Sequence, residues 1–202
     1  MSRKSNTEQR RSEIIAAMLI VLAEQGYERA TIQAIAKQAQ LTPGLIHYHF
    51  KTKAEMLMAL IAELSAIFQT RYAALASTAT TPNEKLLAYI NARLAKGKGE
   101  NPEAVAAWVI IGAEAVKQPE VRALYENAIS QELGLLQELL KAHLKSKGKR
   151  IKLAPHLAAV MVATMEGVFQ LASAAEAVMP KAYAAKTVIA LIDRFIELED
   201  HI

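Results

Sequence analysis

Within the twelve positions from Thr42 to Lys53 the chain places Thr42, Pro43, Gly44, His47, Tyr48, His49, Phe50, Lys51 and Lys53. Hydroxyl, imidazole and phenol groups of this size reach base edges and phosphate oxygens. Lysines neutralise phosphates, and a Thr-Pro-Gly end is slim enough for a helix to enter a groove closely. Thr31 and Thr52 stand at the starts of two further helical patterns, where free backbone N–H groups offer themselves to phosphate. A metal reading fails on spacing, because His47 and His49, two residues apart, point to different sides of a helix.

A second set of residues is scattered over the rest of the chain: Phe68, Tyr89, Trp108, Tyr125, Met165, Glu166, Phe169 and Gln170. Aromatic faces and a carboxylate together suit an organic cation, although the same residue types also build ordinary helical cores. Glu166 is the most informative of them, since a carboxylate in so apolar a segment calls for a partner. For acid–base work the body offers His143, His156, Glu166 and Asp193. No nucleophile, glycine-rich phosphate loop or HExxH pair accompanies them, so the pattern does not describe an enzyme and calls for no cofactor or metal.

These residues need elements to hold them, and the periodicity is helical throughout. Ile14, Ala17, Met18, Val21 and Leu22 fall on one helical face, with Thr7 as the expected N-cap and Gly26 as the stop. Thr31 precedes Ile32, Ile35, Ala36 and Ala39, a helix of about two turns that needs neighbours to persist. Thr42 then caps a third short helix with Pro43 at its first position, where a missing N–H costs nothing. Leu41, Leu45 or Ile46, and Phe50 anchor it inward, leaving Thr42, Pro43, Gly44, His47 and Tyr48 facing out. Helix, short turn and helix over 31–50 predict a helix-turn-helix unit. A helical look-alike without a nucleic-acid role has the same pattern at this level.

Six more helices are expected: Thr52 to about Leu75, a helix from Pro82 ending in "KGKGEN", one from Pro102, one from Pro119 ending in "KSKGKR", Ala154 to Ala175, and Lys181 to about Glu199. The "KSKGKR" run reads as cations following a helix C-terminus. The helix from Ala154 is apolar nearly all round and must be covered on every side. A second copy of the chain is the simplest cover, with Met161, Val168, Val188, Leu191, Ile192 and Phe195 as the expected dimer contacts.

Composition agrees with a folded, all-α chain: 202 residues, 52% hydrophobic and 22% charged. The net charge of +4 is unevenly spread. Residues 1–55 carry eight Lys and Arg against five Glu, and the remaining residues are nearly balanced. No cysteine is present, which fits a reducing cytoplasm. No apolar window suggests a transmembrane helix, and the polar N-terminus does not read as a signal peptide.

Residues 13–57 resemble the N-terminal domain of the TetR-type bacterial transcriptional repressors. The resemblance rests on "TIQAIAKQA" and "GLIHYHFKTKAEML", with Gly44, Ile46, His49, Phe50, Lys53 and Leu57 at matching positions. Two positions depart from the pattern: His47 stands where the family has Tyr, and Gln40 where its turn has Gly. The resemblance implies residues 1–55 as a DNA-binding domain and 56–202 as an effector-binding and dimerisation domain, in about nine helices. It implies a homodimer on a palindromic double-stranded operator, released or retained by a small-molecule effector. Trp108, Gln118-Pro119, Leu124-Tyr125 and Glu166-Gly167 make the body resemble the choline-responsive, betaine-pathway branch, and the resemblance implies an effector pocket with Phe68, Tyr89, Trp108, Tyr125, Met165, Glu166, Phe169 and Gln170 as its candidate lining. A constitutive DNA-binding dimer without an effector remains the alternative.

Overall fold

The computed structural model describes residues 6–95 and 101–198. Among these the chain forms nine α-helices and no strand. They are α1 (Asn6–Gln25), α2 (Ile32–Ala39), α3 (Pro43–His49), α4 (Lys53–Ala76), α5 (Pro82–Leu94), α6 (Pro102–Ala115), α7 (Pro119–Ser146), α8 (Ala154–Ala174) and α9 (Ala184–Leu198). Short 3-10 turns precede α8 at Ile151–Leu153 and follow it at Glu176–Val178.

Local chemistry sets the boundaries. Thr31, Thr42 and Thr52 each accept a hydrogen bond from the backbone N–H three residues on, at 3.2, 3.3 and 3.1 Å, the expected N-cap geometry. Pro43 occupies the first turn of α3. At Thr81 the cap is reciprocal: its hydroxyl accepts from Glu84 N–H while the Glu84 carboxylate accepts from Thr81 N–H, a capping box legible as Thr-Pro-Asn-Glu. Thr7 is no cap; it lies inside α1. The last helix starts three residues later than its apolar pattern because Ala182 takes the left-handed conformation, φ +52°, and interrupts it. Lys96 to Glu100 of the "KGKGEN" run and Glu199 lie outside the described residues.

The chain divides into two compact units: Met1–Ala66 with Asn101–Ala128, and Ile67–Glu100 with Ile129–Ile202. In the first, α1 packs against α2, α3 and α6. Its core gathers Ile14, Met18, Val21 and Leu22 of α1, Ile35 of α2, Ile46 and Phe50 around α3, and Met56, Leu57 and Leu60 of α4, all essentially inaccessible. In the second, α5 packs against both α8 and α9. Leu86, Tyr89 and Ile90 of α5, Leu136, Leu140 and Leu144 of α7, Met161 and Met165 of α8, and Val188, Ile192 and Ile196 of α9 are buried there.

Met161, Val188 and Ile192, expected at a contact between copies, therefore face their own subunit. The side of α8 and α9 left bare is different. Val160 and Leu171 of α8 are 64% and 40% exposed, and Leu191, Phe195 and Leu198 of α9 are 64%, 45% and 46% exposed. Val168 is half-buried. The stretch Ile151–Ala174 is long and apolar enough to cross a membrane by length and composition alone, with a third of its most apolar window buried. The sequence reading expected no such window.

Candidate nucleic-acid interface and buried aromatic cluster

In the first unit α3 is held from below and open above. Ile46 and Phe50 are fully buried and His49 nearly so, whereas Thr42, Pro43, Gly44, His47 and Tyr48 are exposed, Tyr48 at 71%. A Cβ added at Gly44 meets nothing within 4 Å. The glycine thus answers no packing need of the chain's own and leaves the outer face of α3 flat.

The turn entering α3 passes through Gln40 at φ +56°, the left-handed region. Leu41 N–H reaches back to the Ala36 carbonyl at 2.9 Å and Gln40 N–H to Lys37 at 3.2 Å, so the helix end is closed as a glycine would close it. The departure at position 40 therefore leaves the left-handed turn in place and adds strain to it.

Two cations that the sequence shows only as charges turn out to be struts. Arg11 of α1 spreads its guanidinium 4.0 Å over the Phe50 ring, donates to the His49 carbonyl and pairs with Glu55 at 3.4 Å. It thereby ties α1 to the end of α3 and the start of α4. Lys53 lies 3.7 Å over the Tyr27 ring and donates to the Tyr27 carbonyl. Burial lowers the Lys53 ammonium's pKa from its ordinary range, against the pull of Glu114 and Glu28. The same setting raises the Tyr27 phenol, through burial first and then Glu114 and Glu120. Glu114 of α6 is itself buried and accepts Gln118 Nε2 at 2.6 Å. Lys51, by contrast, is exposed, and its hydrogen bonds among the described residues stay close by: its backbone N–H donates to Glu55 at 2.8 Å and its ammonium to the His47 carbonyl at 3.3 Å. Of the two lysines expected to meet phosphate, Lys51 is open and Lys53 is engaged within the chain. Thr31 is exposed at the head of α2.

The residues expected around an effector fall into separate groups. In the first unit Trp108 and Tyr125 meet at a 34° tilt with centroids 4.9 Å apart, and the Tyr125 ring lies 3.3 Å from where a Gly112 Cβ would sit. In the second unit Phe68 and Tyr89 meet edge to face at 5.3 Å, with Tyr72 against both. Arg93 lies 4.3 Å over Phe68 and 5.5 Å from the Phe169 centroid. Its Nε donates to Glu132 at 2.6 Å, its Nη2 to the other Glu132 oxygen, and the Tyr89 hydroxyl donates to Glu132 at 2.6 Å. Burial raises the Tyr89 phenol; Arg93 works against the shift and Glu166 with it. Met165 is buried, Glu166 half-buried and Gln170 exposed. Arg93 and Glu132 were not among the expected site residues. They lie 39 positions apart, and no local pattern pairs them. Among the described residues no three His, Asp or Glu side chains gather as a metal site.

An all-helical chain with an outward-facing short helix capped by Thr-Pro-Gly has the build of a helix-turn-helix regulator. Comparison with known proteins gives the family. Residues 14–60 match the model of the bacterial regulatory proteins of the tetR family, and residues 82–199 match the BetI-type transcriptional repressor C-terminal region; the chain belongs to this family. It is 34% identical over 115 residues to the HTH-type transcriptional regulator BetI of Rhizobium meliloti, a stretch covering 57% of this chain and 56% of that protein. The fatty acid metabolism regulator protein of Bacillus subtilis is 32% identical over 93 residues, 46% of this chain and 48% of that one. The chain thus spans about half the length of the curated relatives it matches. Among solved structures, a transcriptional regulator from Pseudomonas aeruginosa PAO1 superposes with a TM-score of 0.81 at 18% identity, covering 96% of this chain and 93% of that one. A regulator from Saccharomonospora viridis in complex with choline gives 0.73 at 21% identity, covering 94% and 96%. Both share the fold.

Proposed function

We propose that the chain is a ligand-responsive transcriptional repressor that binds a palindromic double-stranded operator as a homodimer in the cytoplasm. Residues 1–55 serve as the reader and 56–202 as the effector-binding and dimerising part. The observation that carries the reading is the outward face of α3, where Thr42, Pro43, Gly44, His47 and Tyr48 are exposed on a helix whose other side is fully buried. Thr42 and Tyr48 reach base edges, His47 and Lys51 the phosphates, and the N-terminus of α2 at Thr31 a further phosphate. Lys53 acts chiefly by holding the reader's shape.

The homodimer is supported by the bare stripes of α8 and α9, since exposed apolar side chains at helical spacing on two long helices call for cover. The small residues Ala163, Gly167 and Ala174, all exposed, permit close helix approach. Nothing within 4 Å would meet a Cβ at Gly167. The apolar length of Ile151–Ala174 is accounted for by this contact, and the reading includes no membrane and no cofactor. A two-fold pair presents two α3 helices to two half-sites.

Selection of bound duplexes from a random pool tests the reading. Inverted repeats are expected, with half-site centres about one helical turn or a multiple of it apart. Thr42→Ala should change the selected sequence, whereas Lys51→Ala should weaken all sequences alike and reduce the salt slope by about one. Enrichment of single, non-repeated sites would overturn the dimeric part, and no enrichment the whole.

A further inference from the structure

The buried cluster of the second unit has the parts of a receptor for an organic cation, and the chain supplies the guest itself. Arg93 projects from the last turn of α5 into two aromatic faces, 4.3 Å from Phe68 and 5.5 Å from Phe169, both within cation–π range. Glu132 takes its charge through two N–H groups and is steadied by the Tyr89 hydroxyl at 2.6 Å. Tyr72 lies parallel to Phe68 and edge-on to Tyr89, which fixes the aromatic wall. The side chains of Arg93 and Glu132 are only 16% and 8% exposed. A buried ion pair alone is weak evidence for stability, because desolvation offsets much of the Coulombic gain. Aromatic faces, a carboxylate and exclusion of water around one positive charge are instead what recognition of a small cation requires.

We propose that Arg93 is a specificity-determining residue, the built-in occupant that closes this site to small organic cations. Removing its guanidinium leaves a vacant site of matching charge and shape, open to a monocation such as methylguanidinium or tetramethylammonium. For the effector-binding reading of this part of the chain, on which only this consequence rests, the effector of the native protein is not a small organic cation.

The test is titration of the full chain with methylguanidinium chloride and tetramethylammonium chloride against equal sodium chloride, followed by calorimetry and thermal melting. Arg93→Ala should bind at least one of the two at millimolar concentration, with at least about tenfold higher affinity than the native chain. Its melting temperature should rise saturably, and Phe68→Leu added to it should abolish the gain. A folded Arg93→Ala that responds no more than to sodium chloride overturns the proposal, as does a native chain that binds the cations equally well. If Arg93→Ala does not fold, recovery of helical circular dichroism on adding methylguanidinium supports the proposal. Failure of recovery, together with an unresponsive Arg93→Gln, overturns it. No DNA enters these measurements, so their failure is distinct from a failure of any metabolite to release the native chain from its operator.

Discussion

Gly44 and Gln40 separate what the fold needs from what a partner needs. Gly44 sits in the first turn of α3 with open space where a side chain would be. Alanine there should leave stability unchanged or raise it by up to about 1 kcal/mol, the helix-propensity difference. The same methyl group would stand on the face proposed to meet DNA, so on that reading operator affinity should fall; thermal melts and fluorescence anisotropy on one preparation separate the two effects. Gln40 is the converse case. Its left-handed backbone, φ +56°, costs a non-glycine residue on the order of 1 kcal/mol. Gln40→Gly should stabilise the chain by roughly 0.5 kcal/mol net of the added entropy of the unfolded state, with little change in affinity. A loss of stability on urea unfolding would show that the Gln40 side chain contributes contacts that its exposed position conceals.

At the scale of elements, the caps of α2, α3 and α4 were readable because each depends on residues three or four apart, and so was the turn at Gly26. The links between elements were not. Arg11 meets the His49 carbonyl across 38 positions and Lys53 meets Tyr27 across 26, and a sequence pattern shows such residues only as charge. Lys53 illustrates the consequence. Its ammonium is committed to Tyr27 with Glu114 nearby, so Lys53→Ala should lower stability by about 1–2 kcal/mol through the lost cation–π contact and hydrogen bond. Lys51→Ala should leave the melting temperature alone and act only on DNA binding. His143 of α7 is a different unread feature. It is 1% exposed, and neither ring nitrogen meets a hydrogen-bonding partner among the described residues. Burial lowers its pKa below the ordinary value of 6.5; Lys147 adds to the shift and Asp193 of α9 opposes it. The unfolded chain therefore takes up the proton first as pH falls through 6.5, and folding stability drops from there until the lowered folded value is passed. His143→Leu should raise the melting temperature at neutral pH and shrink the loss between neutral and mildly acidic pH. An unchanged difference between the two melting curves across that range would contradict the assignment.

For the whole molecule, the all-α class, the helix-turn-helix and the family were legible because each is written in periodicity and in the "GLIHYHFKTKAEML" stretch. Which side of α8 is bare was not, because a helix apolar nearly all round gives no angular preference, and on α9 the apolar residues span a face too wide to show which part of it the subunit covers. The structure resolves that ambiguity within the second unit. On α9, Val188, Ile192 and Ile196 point inward at intervals of four, while Leu191, Phe195 and Leu198 form a separate exposed stripe. On α8, Leu157, Met161 and Met165 point inward, while Val160 and Leu171 stand out. The two classes predict different outcomes for one substitution. Ile192→Asp buries a carboxylate in the subunit's own core and should unfold it, by several kcal/mol, so a loss of dimer there carries no information about the interface. Phe195→Asp changes a residue that is 45% exposed and lies outside the buried set of its subunit. If the proposed dimer forms through this stripe, the variant should keep its helical circular dichroism, sediment as a monomer, and bind the operator at least about a hundredfold more weakly than the native chain, because a lone subunit binds one half-site without the gain from linkage. A folded Phe195→Asp that still sediments as a dimer would place the contact between copies elsewhere on the surface.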